Sequence, residues 1–195
     1  MNQAPRQRMT AQARRQQLLT VAWQLVRQEG SAALTLGRVA EEAGVSKPVV
    51  YEHFTTRQGL LAALYKDFDS RQNALIDAAM AAAGDRLQDK AAVVASSYVN
   101  CVLTQGREIP DVLSSLDSTP ELAAVKRQYQ LDFIEKFRSW FAPFVAPSDI
   151  PLATMWGMLG AADAISNAVV AGDISQQEGM QELSALIITT IARCG

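Results

Sequence analysis

The sequence predicts an all-α fold in which a three-helix head, built around a helix-turn-helix, precedes a larger helical body. Three observations predict it. Apolar residues recur at spacings of three and four through nearly every segment, while strand-type alternation is scarce. Threonine and serine stand ahead of these runs at Thr35, Ser46, Thr56, Thr119 and Ser175, where a side-chain oxygen can cap free backbone amides. With 195 residues, 49% of them hydrophobic and 19% charged, the chain has the composition of a folded protein and enough length for one sizeable core, or for a small head plus a larger body.

In chain order, a polar basic arm over residues 1–9 leads into a helix at about 10–28, with Leu18, Leu19, Ala22, Leu25 and Val26 on one face and Gly30 beyond its end. Thr35 caps a short helix to Ala43, Gly44 and Val45 form a turn, and Ser46 caps the next helix with Pro48 in its first turn. Thr56 opens a long helix to about Ala83. Further helices follow at about 89–106, 110–115, 120–144, 151–171 and 175–193. Thr119 with Pro120 reads as a cap followed by proline, and Ser175 with Glu178 as a capping box. Pro143, Pro147 and Pro151 punctuate the gap between two body helices.

The segment from Leu36 to Val50 carries the functional signal. Val39, Ala43 and Val45 supply apolar contacts where two short helices cross, Ala40 is small where the second helix passes close, and Gly44 gives the turn its backbone freedom. Such a pair leaves the start of the second helix free to enter a major groove. Charge agrees with this. Residues 1–57 hold eight basic and four acidic side chains, a net +4, and the remainder is −6, so only the head should attract a polyanion.

The continuation Tyr51-Glu52-His53-Phe54, then Arg57, Leu60 and Leu61, resembles the signature of the TetR family of repressors; the likeness begins at Leu18-Leu19, Ala22, Leu25, Gly30 and Thr35 and covers roughly the first 60 residues. The LacI-type turn shares Ala-Gly-Val-Ser but lacks the preceding helix and the Tyr-x-His-Phe close. The resemblance implies a DNA-binding domain over residues 1–57 and a helical ligand-binding and dimerisation domain over 58–195. It implies that Thr35 holds a phosphate, and that Ser46, Lys47, Pro48 and Val49 lead the recognition helix. Lys47 would donate to guanine or fall back on phosphate, and Val49 would pack on a thymine methyl or face the groove without discriminating. Tyr51 and His53 resemble phosphate clamps, with a core ring bearing a wet hydroxyl and a structural donor as their alternatives. Arg57 stands where the family usually has a lysine at the start of the long helix and is expected on phosphate. Gly37 departs from members that read a base there with a long side chain, and the neighbouring Arg38 is expected on phosphate. Arg6, Arg8, Arg14 and Arg15 add transient phosphate contacts or form a solvated arm. Phe54 is expected in the core.

In the body, Leu122, Val125, Tyr129, Phe133, Phe137, Trp140 and Phe144 form one aromatic stripe, either core or part of a chamber for a small molecule, with Tyr98 and Asn100 nearby. Trp156, Gly160, Asp163 and Asn167 share a stripe of a helix almost free of charge, and Asp163 and Asn167 face either a pocket or a dimer partner. The expected effector site thus comprises Tyr98, Tyr129, Phe133, Phe137, Trp140, Trp156, Asp163 and Asn167. Gly157, Gly160, Ala161, Ala164 and Ala168 permit close helix approach, and Leu183, Leu186, Ile187, Thr190 and Ile191 give the last helix an apolar face. Family resemblance implies that these two helices meet their twins in a homodimer, which calls for a palindromic operator. The expected function is a repressor released by a small-molecule effector, with activation, or a ligand-binding dimer lacking sequence-specific DNA binding, as alternatives.

An enzyme is not expected. His53, the sole histidine, lies in the motif, and no metal-ligand cluster, nucleophile motif or phosphate loop is present, so neither a cofactor nor a metal is expected. Cys101 and Cys194 suggest no disulfide framework. With no signal peptide and no apolar run of about 20 residues, the expected location is the cytoplasm.

Overall fold

A computed structural model of the chain describes residues 9–105 and 108–195. The expected all-α class holds: among the described residues there are nine α-helices and no strand. They are α1 (Ala11–Glu29), α2 (Leu36–Glu42), α3 (Lys47–Phe54), α4 (Arg57–Ala82), α5 (Leu87–Gln105), α6 (Glu108–Leu116), α7 (Pro120–Phe141), α8 (Leu152–Ala171) and α9 (Gln176–Cys194), with 3-10 turns at Ser31–Ala33 and Ala142–Phe144. The arm with Arg6 and Arg8 lies outside the described residues.

Caps account for most helix starts. Thr10, Thr35, Thr56 and Thr119 each accept a backbone N–H from the third residue onward, and Ser175 and Glu178 close a reciprocal box. Ser46 departs from expectation: it is the N-cap residue of α3 by backbone geometry, but its hydroxyl makes no capping bond. Pro48 in the first turn has already removed one amide that would need a partner. The turn before it requires Gly44, whose φ of 63° is left-handed, while Val45 N–H returns to Ala40 O at 3.0 Å. Helix α7 stops at Phe141 rather than Phe144, because Pro143 cannot continue the ladder and the chain tightens into a 3-10 turn.

Two apolar cores result. The first joins α1, α2, α3 and the start of α4 through Leu18, Leu19, Val39, Val50, Phe54, Leu60 and Leu61, and also takes in Val112 and Leu116 of α6 and Leu122 of α7. The second lies among α5, α7, α8 and α9, with Val99, Phe137, Phe141, Met155, Leu183 and Ile187. Helix α4 runs through both, contributing Leu60, Leu61 and Leu64 to one and Ile76 and Met80 to the other. The aromatic stripe of α7 is divided between them: Leu122 and Tyr129 pack with the first, Phe133, Phe137 and Trp140 with the second. Phe141, outside that stripe, is fully buried and stacks on Phe137 with ring centroids 4.4 Å apart.

The face expected on α9 points inward. Leu183, Ile187, Thr190 and Ile191 are buried within the chain, so its outer surface is formed by residues such as Ala185, Thr189 and Ala192. On α8 the small residues Gly157, Gly160 and Ala164 are exposed, and nothing lies within 4 Å of where a Cβ would stand on either glycine. No described helix is long and apolar enough to cross a membrane.

The corner between α3 and α4 is the tightest in the head. A Cβ on Gly59 would stand 2.2 Å from the carbonyl oxygen of Phe54, a backbone atom that cannot swing aside. Gly59→Ala is therefore expected to destabilise the fold by about 1–3 kcal/mol, read as a lowered urea midpoint.

Candidate nucleic-acid interface and effector cavity

Helix α3 has two unlike faces because its apolar residues fall one turn apart. Val50 and Phe54 are buried in the head core, while Ser46, Lys47, Pro48 and Tyr51 point outward, Tyr51 at 52% exposure. Val49 and His53 are half-buried at the edges, with His53 tilted against Phe54. The N-terminal half of α3 thus projects as a ridge beside α2.

Between the two helices lies an open groove lined by Thr35, Gly37, Arg38, Ala40, Glu41, Val45 and Lys47. Gly37 shapes it. Lys47 lays its Cε 3.6 Å from the point a Gly37 Cβ would occupy, with Nζ at 4.0 Å, so the missing side chain on α2 leaves a berth for the lysine. Thr35 Oγ1 accepts the Arg38 amide at 3.1 Å, which uses an oxygen lone pair and keeps the hydroxyl proton available to an acceptor.

Two arginines differ from expectation. Arg38 does not reach outward alone: it forms ion pairs with Glu29 at 2.7 Å and Glu41 at 2.8 Å, and these hydrogen bonds raise its pKa further. In place of the expected phosphate contact, Arg57 turns back into the head, donating from Nε to Leu34 O at 2.9 Å and from Nη2 to Ser31 O at 2.8 Å. Its position at the start of α4 lies directly behind the 30–35 loop, whose carbonyls need donors. Arg14 bonds Gln17, and the Arg15 guanidinium lies 5.6 Å from the centre of the Phe54 ring.

Sequence reasoning missed the joint between head and body. Ser31, 3% exposed, donates its amide to Asp111 Oδ2 and its hydroxyl to Asp111 Oδ1 at 2.8 Å. Its one hydroxyl proton being engaged, Ser31 Oγ accepts from Ser115 Oγ at 2.8 Å. Helix α6 is thereby pinned to the loop that leads into the helix-turn-helix, with Val112 and Leu116 buried beneath it. A second strut is Asp67 on α4, which accepts from Trp23 Nε1 and Gln16 Nε2 of α1 and pairs with Arg71 at 3.0 Å. Neither Asp111 nor Asp67 was visible in the sequence as more than a solvated helix residue.

In the body, a narrow cavity is lined by Val94 and Tyr98 of α5, Phe133, Ile134 and Phe137 of α7, Met155, Met158, Leu159 and Ala162 of α8, and Leu183 and Ile187 of α9. It holds about 20 Å³ of water-accessible space, room for roughly one water. Of the expected effector residues, Tyr98, Phe133 and Phe137 line it. Asp163 joins through a hydrogen bond, accepting from Tyr98 Oη at 2.5 Å. Burial first, and then the charge of Asp163, hold the Tyr98 phenol well above its usual pKa, so it stays a donor.

Five expected residues are not in the lining, the exposed Asp163 among them, which meets it only through Tyr98. Tyr129 meets Tyr65 edge-on at 5.1 Å near the head-side core. Trp140 carries Lys136 over its ring at 5.7 Å, and Trp156 carries Arg127 at 5.3 Å, both half-buried against the second core but outside the cavity's lining. Asn167 is exposed one turn beyond Asp163. The divergence is geometric: a full helical stripe spans more arc than one cavity wall. Asn100 is tied to α9 through Gln176 at 2.7 Å, and Cys101 is a half-buried thiol whose pKa desolvation pushes up to about 12.

Residues 18–64 match the family model described as bacterial regulatory proteins, tetR family. Over 89 residues, 45% of this chain and 41% of the relative, the sequence is 35% identical to the HTH-type transcriptional activator FasR of Mycolicibacterium smegmatis. Over 63 residues, 32% of this chain and 29% of the relative, it is 33% identical to the HTH-type transcriptional regulator AcrR of Shigella flexneri. The matched portion thus spans less than half of either curated relative. The fold is similar to that of the fatty acid degradation regulator FadR from Bacillus halodurans, with a TM-score of 0.72 at 15% identity over 89% of this chain and 97% of that one.

Removing the Arg57 guanidinium would leave Leu34 O and Ser31 O short of donors. Arg57→Ala is expected to cost about 1–3 kcal/mol of stability, measured by chemical denaturation.

Proposed function

Through residues 18–64 this chain belongs to the tetR family of bacterial regulatory proteins, and from that premise we propose that it binds a palindromic operator as a homodimer and is released by a small molecule held in its body. Residues 1–57 form the DNA-binding domain and residues 58–195 the effector-binding and dimerisation domain. The chain is a transcription factor, not an enzyme, and the proposed sense of regulation is repression, although one relative is named an activator.

The observation that carries the reading is the two-faced recognition helix. With Val50 and Phe54 anchoring α3 from behind, Ser46, Lys47, Pro48, Val49 and Tyr51 are presented together on a surface beside the α2 groove. Lys47 is assigned to base edges or adjacent phosphate, Thr35 to a phosphate through its free hydroxyl proton, and Tyr51 and His53 to the backbone on the other side. Arg38 reaches a phosphate by exchanging one of its surface carboxylates for it, an exchange of comparable charge-assisted bonds. The exposed small residues of α8, with the outer face of α9, are the surface we assign to the twin subunit, since glycine and alanine let helices approach closely.

Coupling follows from connectivity. Helices α5 and α7 supply walls of the cavity, and α6 lies between them in the chain, hydrogen-bonded to Ser31 of the head. Opening the cavity displaces α6, and the joint at Asp111 carries the displacement to the head while α4 pivots. Effector and operator then favour different arrangements of one dimer, so each must weaken the other by the same factor.

The direct test is a mobility-shift titration on the gene's own upstream region. Lys47→Ala is expected to weaken the specific site by about 1–3 kcal/mol, roughly 5- to 150-fold; unchanged affinity across a salt series would reject α3 as the recognition helix. Asp111→Ala, which touches no DNA-facing residue, is expected to change operator affinity and reduce its response to effector. Sedimentation of a strictly monomeric protein would reject the operator symmetry.

A further inference from the structure

Lys47 begins α3, yet its side chain lies along the neighbouring helix. Its Cε and Nζ stand 3.6 and 4.0 Å from the point where a Gly37 Cβ would be, and Thr35 Oγ1 stands 3.9 Å from the same point. Ammonium and hydroxyl thus share one stretch of the α2 groove, and a single glycine leaves room for both. Gly37 is helical and its φ is not left-handed, so the backbone does not demand glycine there. What the glycine supplies is space. Lys47 is exposed and belongs to none of the ion pairs among the described residues, whereas Arg38 in the same groove is held by Glu29 and Glu41. The lysine therefore carries the groove's uncommitted positive charge.

We propose that Gly37 is a specificity-determining residue: it seats Lys47 on α2, at the phosphate beside Thr35, and leaves the base edges to Ser46, Pro48 and Val49. The proposal rests on α3 being the recognition helix and decides between the two assignments made for Lys47. In a helix-turn-helix the second helix enters the major groove while the first crosses the sugar-phosphate backbone. A lysine laid on the first helix is carried to that backbone. Phosphate oxygens only accept, and the ammonium and the Thr35 hydroxyl proton are both donors. What remains at the tip of α3 has no charge: the Ser46 hydroxyl caps nothing, and Pro48 and Val49 present carbon. Such a tip favours thymine methyls over the guanine O6 and N7 that a lysine would seek.

The test is selection of bound sequences from a randomised duplex pool by the full chain, followed by salt titrations on the selected site and on random duplex. Lys47→Ala is expected to keep the wild-type consensus, to weaken both duplexes by the same factor, and to lower the salt slope by about one. Gly37→Ile fills the berth and turns the lysine outward, and a guanine preference of about fivefold or more is expected at a new position of the site. The double variant Gly37→Ile/Lys47→Ala is expected to lose that guanine and return to the wild-type consensus, because the lysine carries the preference and the isoleucine does not. The proposal is overturned if Lys47→Ala by itself changes the consensus, if Gly37→Ile leaves it unaltered, or if the double variant keeps the altered one. Unchanged binding of every duplex by Lys47→Ala, or no consensus for the wild type, would remove α3 as the recognition helix and the proposal with it. Should the isoleucine variant unfold, Gly37→Val puts the same question with one carbon fewer.

Discussion

The contact between buried Ser31 and Asp111 is the constraint on which the arrangement of head and body depends. A buried seryl amide and hydroxyl both donate to one half-buried carboxylate, beside the buried Val112 and Leu116. In such surroundings a lost partner is costly, because the remaining group cannot turn to solvent. Arg57 reinforces the same loop from the opposite side by taking up the Ser31 and Leu34 carbonyls. The loop before α2 is therefore held from the body on one flank and from α4 on the other. The helix-turn-helix inherits its orientation from both.

Seen this way, the head is not an independent bead on a linker. Its core includes residues of α6 and α7, and its first helix is strapped to α4 through Asp67. A regulator gains from this: a joint made of a few directed bonds has discrete alternatives, whereas a soft linker would absorb any movement of the body. The body has a different character. Its cavity walls are methionine, phenylalanine and small aliphatic residues, which can rearrange with little loss of contact.

The head was the most legible part of the sequence. Local rules sufficed there: Thr35 and Thr56 cap the helices they precede, Gly44 takes the left-handed turn, and Val50 with Phe54 fixes which face of α3 is hidden. What escaped were contacts between residues far apart in the chain. Nothing near Asp111 in sequence announces Ser31, eighty positions away, and Arg57 looks like a free cation until the loop carbonyls behind it are seen. The aromatic stripe of α7 misled for a related reason: periodicity identifies a buried face, but that face meets two cores and a cavity in turn, so Tyr129, Phe137 and Trp140 ended in three settings. The apolar face of α9 was likewise real, and it was the chain's own.

Helix α4 extends unbroken for 26 residues from the corner behind α3 to the wall of the body, a rod of about 39 Å. A tilt of roughly five degrees at its far end would carry the recognition ridge about 3 Å, close to the rise of a single base step. In the dimer we propose, two heads moving oppositely would then fall out of register with a fixed pair of half-sites after a change in the body no larger than a side chain giving way.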